Sequence, residues 1–78
     1  MDQIRKMLRR VSPKDRQRIK AVIGKLRIGD ETGLDIAPLR GYRDAFRVRV
    51  GGYRLILRRE GRTYRPVALL RRNEKTYN

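Results

Sequence analysis

The chain contains no cysteine, no histidine and no tryptophan, and it has few acids. Without cysteine there is no disulfide framework and no thiolate chemistry, which fits a reducing compartment and gives the expectation of a cytoplasmic protein. Without cysteine and histidine together, the common zinc sites are excluded. Ser–His and Cys–His nucleophilic pairs are excluded for the same reason. An enzyme built from these residues must move protons with Arg, Lys, Tyr, Asp or Glu. Apolar runs extend over only a few residues, so no membrane association is expected. The first residues carry no apolar stretch of the kind that directs secretion.

What is abundant is positive charge. Lys and Arg number 22 among 78 residues and Asp and Glu only 8, leaving a formal charge of +14. Of the 22 bases, 17 are Arg. A chain of this length has room for one domain with a small core. Self-repulsion on this scale works against the compact state. A polyanionic partner accounts for it, nucleic acid first and an acidic protein second. The arginine bias fits phosphate, because guanidinium grips it in a planar, bidentate way and stacks on bases.

The apolar period divides the chain. Ile4, Met7, Leu8 and Val11 recur at helical spacing, as do Ile19, Val22, Ile23 and Leu26. Between them Ser12 is a helix N-cap, Pro13 suits a first helical position and Asp15 favours the positive end of the second helix. The remaining helical faces are mostly Arg and Lys and are expected to be solvated. Residues 29–38 are the acidic stretch. Two glycines and a proline mark them as loop. Asp30, Glu31 and Asp35 show no metal-ligand spacing, so no metal is expected and these acids are expected to neutralise a basic neighbour.

From Ala45 the period becomes two. Ala45–Val50 alternates, Gly51-Gly52 is a hairpin signal, and Tyr53–Arg59 returns. A turn at Glu60-Gly61 leads to a third strand, Thr63–Leu70, in which Pro66 suggests an edge position or a bulge. The expected architecture is α+β: one domain over 1–78, with a helical hairpin (2–28), a loop (29–44), a three-stranded antiparallel meander (45–71) and a polar tail (72–78).

A two-residue Gly51-Gly52 loop pairs Val50 with Tyr53, Val48 with Leu55 and Phe46 with Leu57, which makes one apolar face for the helices. The other face then carries Arg49 opposite Arg54 and Arg47 opposite Ile56. Continued across Glu60-Gly61, the alternation sets Arg65 opposite Ile56 and Val67 opposite Arg54, and adds Leu69 and Arg71 to the arginine face. A bulge at Pro66 would invert the parity of everything after it. Like charges directly opposed cost up to about 1 kcal/mol per pair, so five arginines on one face point to phosphate binding. Engaging about five phosphates of a single strand gives a slope near −3.5 in log K against log salt. Among the aromatics, Tyr42 beside Arg40 is the candidate for base stacking.

The runs Pro38-Leu39-Arg40-Gly41-Tyr42 and Phe46-Arg47-Val48-Arg49-Val50-Gly51-Gly52-Tyr53-Arg54, followed by Arg71 to Tyr77, resemble the RelE/ParE superfamily of bacterial toxins. The resemblance covers 38–78 directly, and the helical hairpin before it also fits. Members usually carry a strand before that hairpin. This chain begins directly in helix, so the resemblance implies a RelE-like fold lacking the usual first strand, with a sheet edge left open or covered by another chain.

The RelE branch consists of ribonucleases that cleave mRNA in the ribosomal A site; the ParE branch inhibits gyrase and lacks the ribonuclease residues. Carried over, the RelE-like site falls on Arg49, Arg54, Arg71 and Tyr77, with Arg40, Arg47, Arg65 and Lys75 contacting RNA phosphate. The implied reaction is attack of a ribose 2′-OH on the adjacent phosphate. Arg54 and Arg71 would meet the transition-state charge, Tyr77 or Arg49 would be the base, and Arg71 is the alternative acid for the leaving oxygen. Positions often held by Lys are Arg47 and Arg49 here, and Arg is a poor base because its pKa exceeds 12. The implied partners are an acidic antitoxin in a hetero-oligomer, mRNA and the ribosome with its rRNA, without any cofactor. The alternative is a non-catalytic ParE-like gyrase inhibitor, or a basic module that only coats RNA.

Overall fold

The helical hairpin forms where the apolar spacing places it. In the computed structural model, which describes residues 3–71, α1 spans Gln3–Arg10 and α2 spans Pro13–Arg27. Ser12 caps α2: its backbone is extended and its side-chain oxygen accepts from Asp15 N at 3.3 Å. Arg16 reaches back to the end of α1. Its Nε donates to Leu8 O at 2.8 Å and its Nη2 to Val11 O at 3.1 Å. It thereby satisfies carbonyls that a helix C-terminus leaves without intrahelical donors. Arg16 is therefore an exception among the helical bases expected to be solvated.

The C-terminus of α2 closes through Gly29. Gly29 N donates to Leu26 O at 3.1 Å and Asp30 N to Lys25 O at 2.9 Å, with Gly29 at φ 77°. This paired pattern ends a helix in a left-handed residue. A Cβ on Gly29 would also lie 2.5 Å from Arg62 O, so the position needs glycine twice over.

Four strands follow: β1 (Asp35–Pro38), β2 (Ala45–Val50), β3 (Tyr53–Glu60) and β4 (Thr63–Arg71). They form one antiparallel sheet in the order β1-β2-β3-β4. The α+β architecture is the one expected, with one strand more than the three read from the period. Within the segment 29–44, read as loop, Asp35–Pro38 pairs with Phe46–Arg49. Four residues ending in proline carry too little alternation to show as a strand, and a proline is tolerated at such an edge.

The β2–β3 register is the expected one: Val50 pairs with Tyr53, Val48 with Leu55, Phe46 with Leu57 and Arg49 with Arg54. Gly51 at φ 57° occupies the first central position of the turn, where a II′ hairpin requires it. The second hairpin differs. Its loop is Gly61-Arg62, not Glu60-Gly61, so Glu60 pairs with Thr63 and Arg65 with Arg58. A bulge then follows, because Pro66 pairs with Leu57 and Ala68 with Ile56, leaving Val67 extra.

The core lies between the helices and one sheet face. Ile4, Val11, Ile19 and Leu26 from the helices join Val48, Val50, Tyr53, Leu55, Leu57, Tyr64 and Leu69. Burying such a side chain contributes about 1.5–3 kcal/mol. Gln3 closes β4 at its outer edge, where its carboxamide bonds to both backbone groups of Leu69. Among the described residues no helix is long and apolar enough to cross a membrane.

Candidate nucleic-acid interface

The sheet face opposite the helices is where the arginines collect. By register and alternation, Arg49 opposes Arg54, Arg47 opposes Ile56, and Arg58 opposes Arg65. No described helix or strand packs over this face; the helical core residues all meet the other one. Arg47 is the most covered of the basic side chains in ion pairs, at 18% exposure against 38% for Arg49 and 61% for Arg65.

Two acids reach these arginines. Asp35 Oδ1 lies 3.5 Å from Arg47 Nη1, and its Oδ2 lies 3.9 Å from Arg49 Nη1. β1 brings it there by pairing Asp35 with Arg49. Glu60 Oε2 lies 2.8 Å from Arg65 Nε. The other acids of the 29–35 stretch are held elsewhere. Asp30 Oδ1 accepts from Thr32 N at 3.0 Å, and these bonds from Thr32 hold its carboxyl below the usual carboxylate range. Glu31 accepts from the Tyr64 hydroxyl at 2.6 Å, and that bond, with burial, pushes the Tyr64 pKa up. Asp35 thus neutralises basic neighbours, as expected of the acidic stretch, while Asp30 and Glu31 fasten the loop.

The residues expected at the site divide into four groups. Arg47, Arg49, Arg54 and Arg65 share the open face, Arg65 beside Arg58 instead of Ile56. Arg40 is exposed in the Arg40-Gly41 turn, next to Tyr42 at 71% exposure. Lys75 and Tyr77 lie outside the described residues. Arg71 is placed differently from the expectation. The bulge at Val67 inverts the parity, so Leu69 turns into the core and Arg71 pairs with Tyr53 on the helix side. There the Arg71 guanidinium lies 5.9 Å from the Tyr53 ring centre. The strand partner of Arg54 is Leu70, not Val67.

Arg58 is the member of this face that sequence reasoning missed. Gly61 held the signal. A two-residue II′ turn takes glycine first, so reading Gly61-Arg62 as the loop pairs Arg58 with Arg65 directly.

A concave surface among the described residues lies elsewhere. A groove of about 1430 Å³ runs between the helices and the outer edge of β4, with Ile4, Leu8, Ile23, Tyr64 and Pro66 among its lining. The arginine face is a broad cationic surface suited to a polymer backbone, which needs charge and not enclosure.

No family model and no curated protein matches the chain. Among solved structures it is similar to the RelB-RelE antitoxin-toxin complex from Methanococcus jannaschii, at 30% sequence identity and a TM-score of 0.71. The match covers 82% of this chain and 78% of that one.

Proposed function

The chain belongs to the RelE/ParE toxin superfamily, and on that premise we propose that it is a toxin–antitoxin toxin acting as a ribosome-dependent endoribonuclease on mRNA. Membership in a toxin–antitoxin system follows from the family. The toxin role is favoured by the charge of +14, since a chain this basic calls for an acidic partner. The ribonuclease reading is carried by the direct opposition of Arg49 and Arg54 on a sheet face over which no described helix or strand packs.

In the proposed reaction a ribose 2′-OH loses its proton to a base, its oxygen bonds to the adjacent phosphorus, and the bond to the 5′-oxygen breaks. The leaving oxygen takes up a proton, giving a 2′,3′-cyclic phosphate and a 5′-OH end. Negative charge grows on the non-bridging oxygens. Arg49 and Arg54 are spaced to meet it with charge-assisted hydrogen bonds. Arg47 and Arg40 would position the backbone. The family resemblance assigns Arg71 as acid and Tyr77 as base; Arg71 lies on the helix side of the sheet beside Tyr53, opposite the Arg49–Arg54 face, so it has no part in the proposed step at that pair. An acidic antitoxin would silence the toxin by occupying the arginine face.

The test is primer extension on a translated mRNA after induction of the wild type, Arg54→Ala and Arg71→Ala in parallel. Cuts within codons that vanish in the Arg54→Ala variant are expected. Growth arrest with DNA-damage signalling and uncut mRNA would move the assignment to the gyrase-inhibitor branch.

A further inference from the structure

We propose that Arg58 and Arg65 form a second phosphate clamp for single-stranded RNA, set apart from the Arg49–Arg54 pair along the sheet. The proposal rests on the ribonuclease reading and extends its substrate contact to the far end of β3. The two pairs have the same construction. Arg49 opposes Arg54 near the Gly51-Gly52 hairpin, and Arg58 opposes Arg65 near the Gly61-Arg62 hairpin. Residues so opposed have Cβ atoms about 5 Å apart, and like charges there cost up to about 1 kcal/mol. A phosphate bridging two guanidiniums replaces that repulsion with charge-assisted bonds.

The spacing is set by β3. Arg54 and Arg58 are four residues apart on one face, which at about 3.4 Å per residue separates the clamps by about 14 Å. Between the clamps lies the row of Arg47, Ile56 and Ala68. Ile56 and Ala68 are half-buried and offer an apolar strip against which bases can lie.

The local charge supports the same conclusion. Arg58 is exposed and makes no ion pair among the described residues. Arg65 has only Glu60, and both partners are more than half exposed. Such a pair is worth little, so a phosphate can displace the carboxylate.

The experiment measures binding of single-stranded RNA, 2′-O-methylated so that it cannot be cut, in lengths of three and eight nucleotides. Wild type, Arg54→Ala, Arg58→Gln/Arg65→Gln and Arg58→Lys/Arg65→Lys are compared over a salt series. For the octamer, the double glutamine variant is expected to lose roughly tenfold in affinity, with a salt slope shallower by about 0.7, the loss of one phosphate contact on a single strand. Its trimer binding should be unchanged. The double lysine variant keeps the charge and should keep the slope. Both positions are exposed, and circular dichroism confirms that each variant is folded. An octamer affinity and slope unchanged in the double glutamine variant, while Arg54→Ala weakens binding, overturns the clamp alone. If the wild type binds neither RNA, the RNA-directed reading falls together with the clamp.

Discussion

Gln3 pairs with Leu69 as one strand pairs with another. Its Oε1 accepts from Leu69 N at 2.8 Å and its Nε2 donates to Leu69 O at 2.9 Å. Among the described residues β4 has a strand neighbour on one side only, and Leu69 offers both backbone groups outward. A primary amide is a peptide group in miniature, so one side chain seals the edge there without a strand.

Replacing Gln3 with Ala should therefore cost about 1–2 kcal/mol, the net worth of two hydrogen bonds at a partly buried site. For a domain of this size that is about 4–8 °C in Tm per kcal/mol. The site-specific check is hydrogen exchange at the Leu69 amide, which should be protected in the wild type and should speed up in the variant. Gln3→Glu keeps an acceptor but sets a second oxygen against Leu69 O, so it should do no better than Ala. Unaltered Leu69 exchange in both variants would contradict this account.

The Tyr64–Glu31 bond makes a pH-dependent prediction with a definite sign. The hydroxyl donates to Glu31 at 2.6 Å, and this bond raises the Tyr64 pKa above its ordinary value of 10.0. A raised folded-state pKa gives stability that is fully present below pH 10 and is lost as pH climbs through the raised value. Tyr64→Phe should lower stability by about 1–2 kcal/mol at pH 7. The two chains should converge above pH 10. The difference in urea midpoint between them, followed from pH 7 to pH 11, tests this, and a difference that grows with alkali would sink it.

Which parts of this arrangement could be read from the residues follows from how each is encoded. The β2–β3 pairing was legible because two glycines pin the loop and six alternating residues precede it. The helices were legible because their apolar spacing and the Ser12-Pro13 junction agree. β1 was hidden because four residues ending in Pro38 have no period to display. The bulge was signalled by Pro66, but its effect on Leu69 and Arg71 depends on where the extra residue falls, and only the packing of Leu69 against the helices decides that. Gln3 and Arg16 were illegible for a further reason: each bonds to backbone atoms, and a side chain's backbone partner leaves no mark in residue types.

Gly29 gives the sharpest steric prediction. Its φ of 77° and the 2.5 Å approach of Arg62 O both exclude a Cβ. Gly29→Ala should cost about 1–3 kcal/mol from the left-handed backbone, and more if the β3–β4 turn has to move. Guanidinium unfolding measures the cost. An Ala variant as stable as the wild type would show that the loop and the turn do not press on each other.

Asp35 decides how much of the arginine face is available to an anion. It stands 3.5 Å from Arg47 and 3.9 Å from Arg49 and is 58% exposed, so the pairs are long and solvated. Their removal should change stability by less than about 1 kcal/mol. Their effect on RNA should be larger, because a carboxylate within reach of two guanidiniums competes with phosphate for the same donors. Asp35→Asn removes that competing charge while keeping nearly the same shape. RNA affinity is expected to rise severalfold at low salt, and the salt slope to steepen by up to about 0.7, one phosphate contact's worth on a single strand. The variant should also cleave at least as fast as the wild type on translating ribosomes. Weaker RNA binding by Asp35→Asn would mean that the carboxylate holds Arg47 and Arg49 in place for phosphate instead of competing with it.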